Sequence, residues 1–264
     1  MKGGSENKKI KPILVSRFLD IRQKPEINPD EGDFSNTFEN EDRREHFFDE
    51  AKKAFEFVFD KEKFIHDIQS EPNKESFSYL KKVRRYGLVL KASYKFSDIS
   101  HRCGEKLNHF LFLLGEYNDS YWISPRLEIK DEILNNLDNT DLSVNFIDTP
   151  KFKEYAEGIL SQTEIILQKK ELPIKEFHTL RKRLRLLSNF MQVAAAEDYG
   201  GSLHWLFYCI FKLSTELGKT HDDHVQMGLK KEIEYHKSVV EIDSDIATEF
   251  ERLKPFIKKV YSLN

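Results

Sequence analysis

The stretch "FHTLRKRLRLL", residues 177–187, decides how this chain is read. Turned through 100° per residue, Phe177, Leu180, Leu184 and Leu187, with Met191 beyond them, form one apolar stripe. His178, Arg181, Lys182 and Arg185 form a second stripe beside it. Like charges three, four and seven residues apart are neighbours on a helix and cost roughly 0.2–0.5 kcal/mol per pair. A solvated face mixes signs to avoid that cost. This stripe has no intervening Asp or Glu, so an anion is expected against it. Arg offers a planar fork for phosphate oxygens, Lys a mobile point charge, and His a donor that gains a proton beside anions.

A related stretch, "FSYLKKVRRYGLV", begins at Phe77. Here Phe77, Leu80, Val83, Gly87 and Leu90 make the apolar side, and Ser78, Lys81, Lys82 and Arg85 the adjacent one. Further on, "LNHFLFLLGEYNDSYW" at 107–122 matches "IFKLSTELGKTHDDHV" at 210–225, each reading L-G-x-x-x-D. Leu114-Gly115 and Leu217-Gly218 are expected to end helices, with the next ones starting near Asp119 and Asp222.

A period of about one hundred residues points to a duplicated four-helix unit. Apolar residues recur at three and four spacing in most other windows, and proline is absent from 73 to 124. Helices are predicted over 42–70, 75–95, 98–115, 117–137, 151–171, 174–196, 202–217, 219–239 and 243–262. The expected fold is all-α: two tandem pseudo-symmetric four-helix bundles, 42–137 and 151–264, joined by "NLDNTDLSVNFIDTP" at 136–150. A polar, acidic N-terminal extension, 1–41, precedes them. Its stretch "PEINPDEGDFSNTFENED" is read as a solvating tail, or as a cover that competes for the basic faces.

The balance of 42 Lys and Arg against 45 Asp and Glu leaves a net charge of −3, so no global field recruits nucleic acid or membrane. Any anion-binding surface is therefore local. Cys103 and Cys209 form no C-x-x-C, which speaks against a disulfide framework or a cysteine zinc site. The longest apolar run, "LHWLFYCIFKL" at 203–213, is too short to span a bilayer. The opening "MKGGSENKKIK" has no apolar leader region, and a cytoplasmic protein is expected.

His, two residues, Arg, then a cation seven positions after the His, followed some 35 to 40 residues later by Leu-Gly and an Asp, resembles the CHAD family, the conserved-histidine α-helical domain. The likeness covers about 75–122 and 174–226. It implies two pseudo-symmetric helical bundles with a basic groove for inorganic polyphosphate, with no catalysis and no cofactor. Carried over, the binding residues would be His178, Arg181, Lys182 and Arg185 in the second copy and Lys81, Lys82 and Arg85 in the first. Lys212 also matches a position that is often basic. Departures from the pattern are Ser78 for the first histidine, Lys81 for an arginine, and Asn189 for a common cation.

Other readings stand beside this one. Both cationic runs could be solvated faces, or pair with the acidic segment at 30–50. "THDDHV", with His221, Asp222, Asp223 and His224, is similar to the metal site of HD phosphohydrolases, for which His178, His204 and Asp243 would complete the set. Arg102 and His109 have the spacing of HEPN ribonucleases. A helical adapter that meets an acidic protein is a third class, and nucleic acid remains an alternative polyanion. The aromatic cluster at His204, Trp205, Phe207 and Tyr208 is read as core rather than as a base-stacking platform.

Overall fold

Short polar side chains start the helices by accepting hydrogen bonds from backbone N–H groups that no preceding turn can satisfy. The computed structural model describes residues 11–27, 32–34, 37–71, 73–97, 102–120, 127–137 and 148–263, with the side chains of 102–104, 119–120 and 127–128 excepted. Asn40 caps α2 (Glu41–Val58) through the amide of Asp42, and Asp60 caps α3 (Lys61–Gln69) through that of Lys63. Asn73 accepts from Glu75 and Ser76 at the start of α4 (Lys74–Ser97). Asp148 and Asp243 do the same for α7 (Thr149–Leu167) and α10 (Ser244–Val260). Between these lie α5 (Arg102–Ser120), α6 (Leu127–Leu137), α8 (Ile174–Glu197) and α9 (Ser202–Leu229), with a short α1 (Ile13–Arg17) ahead of them all.

The described residues are all-α apart from one two-stranded ribbon. In it β1 (Glu171–Pro173) pairs antiparallel with β2 (Val239–Glu241), Leu172 opposite Val240. Among the described residues no helix is long and apolar enough to cross a membrane.

Apolar side chains from all ten described helices join one continuous core. Its middle is aromatic. Phe96 of α4 stacks on Phe190 of α8 with ring centroids 4.2 Å apart, and Phe38, Phe152 and Tyr261 surround that pair. Burying each such ring contributes about 1.5–3 kcal/mol. Rings from both expected bundles thus meet at one centre, and this contact sets α4 directly against α8.

Several boundaries differ from the sequence expectation. The predicted helix 42–70 breaks at Phe59-Asp60, because Asp60 turns out of the helix to cap α3. The Leu-Gly pairs do not end helices: α5 runs through Gly115 and α9 through Gly218. Asp222 accordingly sits one turn past Gly218 inside α9 and starts nothing; the side chain of Asp119 lies outside the described residues. The predicted helix 219–239 stops at Leu229, where Lys231 takes a φ of 60°, and continues as a 3-10 turn, Tyr235–Lys237, and β2. Residues 138–147, most of the expected linker, lie outside the described residues.

The expected polar extension also contributes to the core. Leu14, Val15, Phe18 and Ile21 are buried, α1 and the 3-10 turn Asp20–Arg22 carry them, and Phe34 and Phe38 follow. Arg17 donates to the carbonyl of Ala196 at 2.6 Å, a cation on the negative end of α8 that ties the segment down.

Candidate functional site

On α8 the apolar stripe Phe177, Leu180, Leu184, Leu187 and Met191 is buried, and on α4 so is Phe77, Leu80, Val83, Gly87 and Leu90. With those faces fixed inward and the two helices packed together, the adjacent cationic sides border one groove. Two adjoining cavities lie along it, of about 290 and 590 Å³, and they share Leu88, Arg185 and Asn189.

The smaller cavity is lined by Arg22, Arg85, Arg181, Arg185 and Lys219, with Asp222 as its one carboxylate. The larger adds Arg84, Lys91, Lys95, Lys182 and Arg183, and among the described residues no carboxylate lines it. The electrostatic consequence is visible in the groups themselves. Burial pushes Arg22 down to about 10, and Arg85 and Arg185 push the same way. Although solvent reaches Arg185, the surrounding walls and then Arg181 and Arg84 lower it to about 10, with Asp222 opposing. Burial, then Lys95, Lys182 and Arg84, bring Lys91 down to about 8. Each of these cations disfavours the charged form of its neighbours, a cost that a bound anion would relieve.

Arg181 is the most constrained of them, its side chain only 16% exposed. Its guanidinium lies over Gly218, where an added Cβ would sit 3.4 Å from Nη2. It donates to His221 Nδ1 at 2.9 Å and lies 3.5 Å from Asp222 Oδ1. His221 Nδ1 also lies 3.1 Å from Asp222 Oδ1, and its Nε2 lies 3.0 Å from the hydroxyl of Tyr235. The His178 ring lies 5.0 Å from that of His221, and its buried Nδ1 has no hydrogen-bond partner. Burial, followed by Lys182, His221, Arg181 and Arg185, pushes His178 down to about 4, so the ring is neutral at pH 7.

A second arginine repeats the Arg181 arrangement on α4. Arg84 lies over Gly115, where an added Cβ would come 2.6 Å from Nη2, and its Nε donates to the Leu111 carbonyl at 3.3 Å. The two glycines that looked like helix ends are therefore close approaches of a guanidinium to a helix backbone.

Of the residues singled out from the sequence, Arg85, Arg181, Lys182 and Arg185 line the groove, and His178 stands beside it. Lys81 and Lys82 line neither cavity; the Lys81 ammonium lies 4.3 Å from the centre of the Phe77 ring. Lys212 faces a separate cavity with Asp243, Asp245 and Glu249, and pairs with Glu216 at 3.8 Å. Arg22, Arg84, Lys91, Lys95, Arg183 and Lys219 were missed. A signal existed for Arg84 and Arg183, since each belongs to one of the two cationic runs. Arg22 reaches the groove by lying over the rings of Phe18 and Phe211, a placement with no local signature.

The HD-type residues disperse. His224 donates to the Thr220 carbonyl, His204 is buried and donates to the Ile21 carbonyl at 2.9 Å, and Asp243 caps α10. Among the described residues no three His, Cys, Asp or Glu gather in a way that could hold a metal ion. His109 pairs with Glu132 at 3.0 Å at the edge of the larger cavity, while the side chain of Arg102 lies outside the described residues. In the acidic stretch, Glu39 pairs with Lys153 and residues 28–31 and 35–36 lie outside the described residues.

The fold and the groove define a helical protein with a concentrated cationic cleft. The sequence matches no model of a known protein family, and no similar chain was found among curated proteins or solved structures.

Proposed function

We propose that this protein binds inorganic polyphosphate, or a polyanion of similar charge density, in the groove between α4 and α8, without chemistry of its own. One observation carries the reading: among the described residues, ten Lys and Arg side chains line two adjoining cavities and one carboxylate lies with them. Phosphates held there would be met by bidentate arginines and mobile lysines in a partly desolvated site, where charge-assisted hydrogen bonds are strong. The same reading includes divergent membership of the CHAD family, a cytoplasmic setting and descent from a duplicated bundle. In support of the duplication stand Arg84 over Gly115 and Arg181 over Gly218, each joining two successive helices of its half.

A titration of long-chain polyphosphate over a range of salt concentrations tests it. Engagement of six or so phosphates predicts that the logarithm of the binding constant falls with the logarithm of salt at a slope of roughly −4 to −5. Weaker retention is expected for the double variant Arg85→Ala, Arg185→Ala with helicity intact. Binding that ignores salt, or that survives this double variant unchanged, rejects the reading.

A further inference from the structure

The two cavities of the groove differ in what lies between their cations. In the smaller one Ser188, Ser214 and Thr215 stand between the cations, and only Leu88 and Phe211 among its described lining residues are large and apolar. In the larger one the gaps are mainly apolar, with Leu88, Leu111, Phe112, Tyr155, Ile159 and Leu186 contributed by α4, α5, α7 and α8 beside Gln162 and Thr179. Phe112 is the conspicuous member. It stands 58% exposed on α5, although its neighbours Leu111 and Leu113 are buried.

A bare phosphate chain gains nothing from that ring. An exposed aromatic bordered by cations fits a ligand that has a flat apolar part as well as charge. At about 590 Å³ the cavity lies within the roughly 300–1,000 Å³ range of small-molecule sites. Asn108 and Asn189 line it too, with amides of the kind that read the edge of a base. The charge is dense, five cations about a space of 290 Å³ next door, which suits contiguous phosphates better than the one charge per residue of a nucleic-acid strand.

We infer that the larger cavity holds the base and sugar of a nucleoside polyphosphate stacked on Phe112, with its phosphates running past Arg185 toward Arg85 and Arg181. The inference rests on the anion-binding reading above and narrows its ligand. No covalent step is involved. Phe112 supplies stacking area, the lysines of α4 and α8 hold the first phosphate, and the smaller cavity holds the rest.

The test is calorimetric titration of the full chain with ATP, with inorganic tripolyphosphate and with a short single-stranded RNA, all at one ionic strength. ATP is expected to bind about tenfold more tightly than tripolyphosphate, the order of effect that one stacked base supplies. Phe112→Ala removes that advantage and leaves tripolyphosphate binding unchanged; because Phe112 is exposed, its circular dichroism and Tm should match the parent. Equal affinity for ATP and tripolyphosphate overturns the inference and leaves the anion-binding reading standing. So does a loss in Phe112→Ala that falls on both ligands alike. RNA bound more tightly than ATP overturns the choice of a free nucleotide. Binding of none of these ligands, nor of long-chain polyphosphate, overturns both readings.

Discussion

Helices α4 and α8 have the same length and the same kind of sequence, yet they present their cations differently. On α8 the predicted Arg181, Lys182 and Arg185 all line the groove. On α4 the predicted Lys81 and Lys82 do not, and Arg84, Arg85, Lys91 and Lys95 do the lining instead. Three residues on α4 amount to nearly one turn, so its groove-facing section lies toward the C-terminal side of the motif. A shared hydrophobic pattern sets which face is buried. It does not set where along the helix the partner crosses.

The comparison breaks first, and with the largest effect, at the core. Leu80→Ala on α4 and Leu180→Ala on α8 should each lower unfolding stability by about 2–5 kcal/mol, measured by chemical denaturation, because both side chains are buried with nothing to refill the space. A cost confined to one of them would show that only one helix is built into the shared core.

Cation placement gives the next effect. Removing two charges by Lys81→Ala with Lys82→Ala should leave the salt slope of polyphosphate binding nearly unchanged. Removing two by Arg85→Ala with Arg185→Ala should flatten whatever slope remains by about 2, close to one unit for each phosphate left without its cation. Equal weakening by the two pairs would mean that net charge, and not the groove, governs retention.

The glycines give a smaller contrast. Gly218→Ala should stabilise by up to about 1 kcal/mol in thermal unfolding, since alanine favours a helix and its Cβ meets Arg181 only at ordinary contact distance. Gly115→Ala should gain less or destabilise, since its Cβ would displace the Arg84 guanidinium.

A further contrast is a pH dependence that His178 gives to α8. His178 is held near 4 in the folded protein against an ordinary value of 6.5. Between those values the unfolded chain binds a proton that the folded one refuses, so this group makes stability rise with pH from about 4 to 6.5. Denaturation of His178→Gln compared with the parent across that window should show a shallower rise. Ser78, at the matching place on α4, offers no such group.

The helical class and the two buried stripes were legible because both rest on local periodicity. The Leu-Gly boundaries were misread, because a glycine that ends a helix and a glycine that admits an arginine look alike in one dimension. Nothing near Gly115 or Gly218 in sequence announces Arg84 or Arg181, which arrive from the neighbouring helix. Asp60 shows the reverse error: its capping of α3 is local, but the apolar pattern of 42–70 carried the prediction across it.

By itself the sequence determined that the chain is helical and that two of its helices carry a row of cations beside a buried apolar face. Those features depend on residues within a few turns of one another. The tertiary structure decided that Arg85 of one row and Arg181, Lys182 and Arg185 of the other face one groove, that Arg22 joins them from the N-terminal segment, and that Lys81, Lys82 and Lys212 stand outside. The reason is physical: a helix fixes the direction of its side chains about its own axis, while the point at which two helices cross is set by the packing of rings such as Phe96 on Phe190.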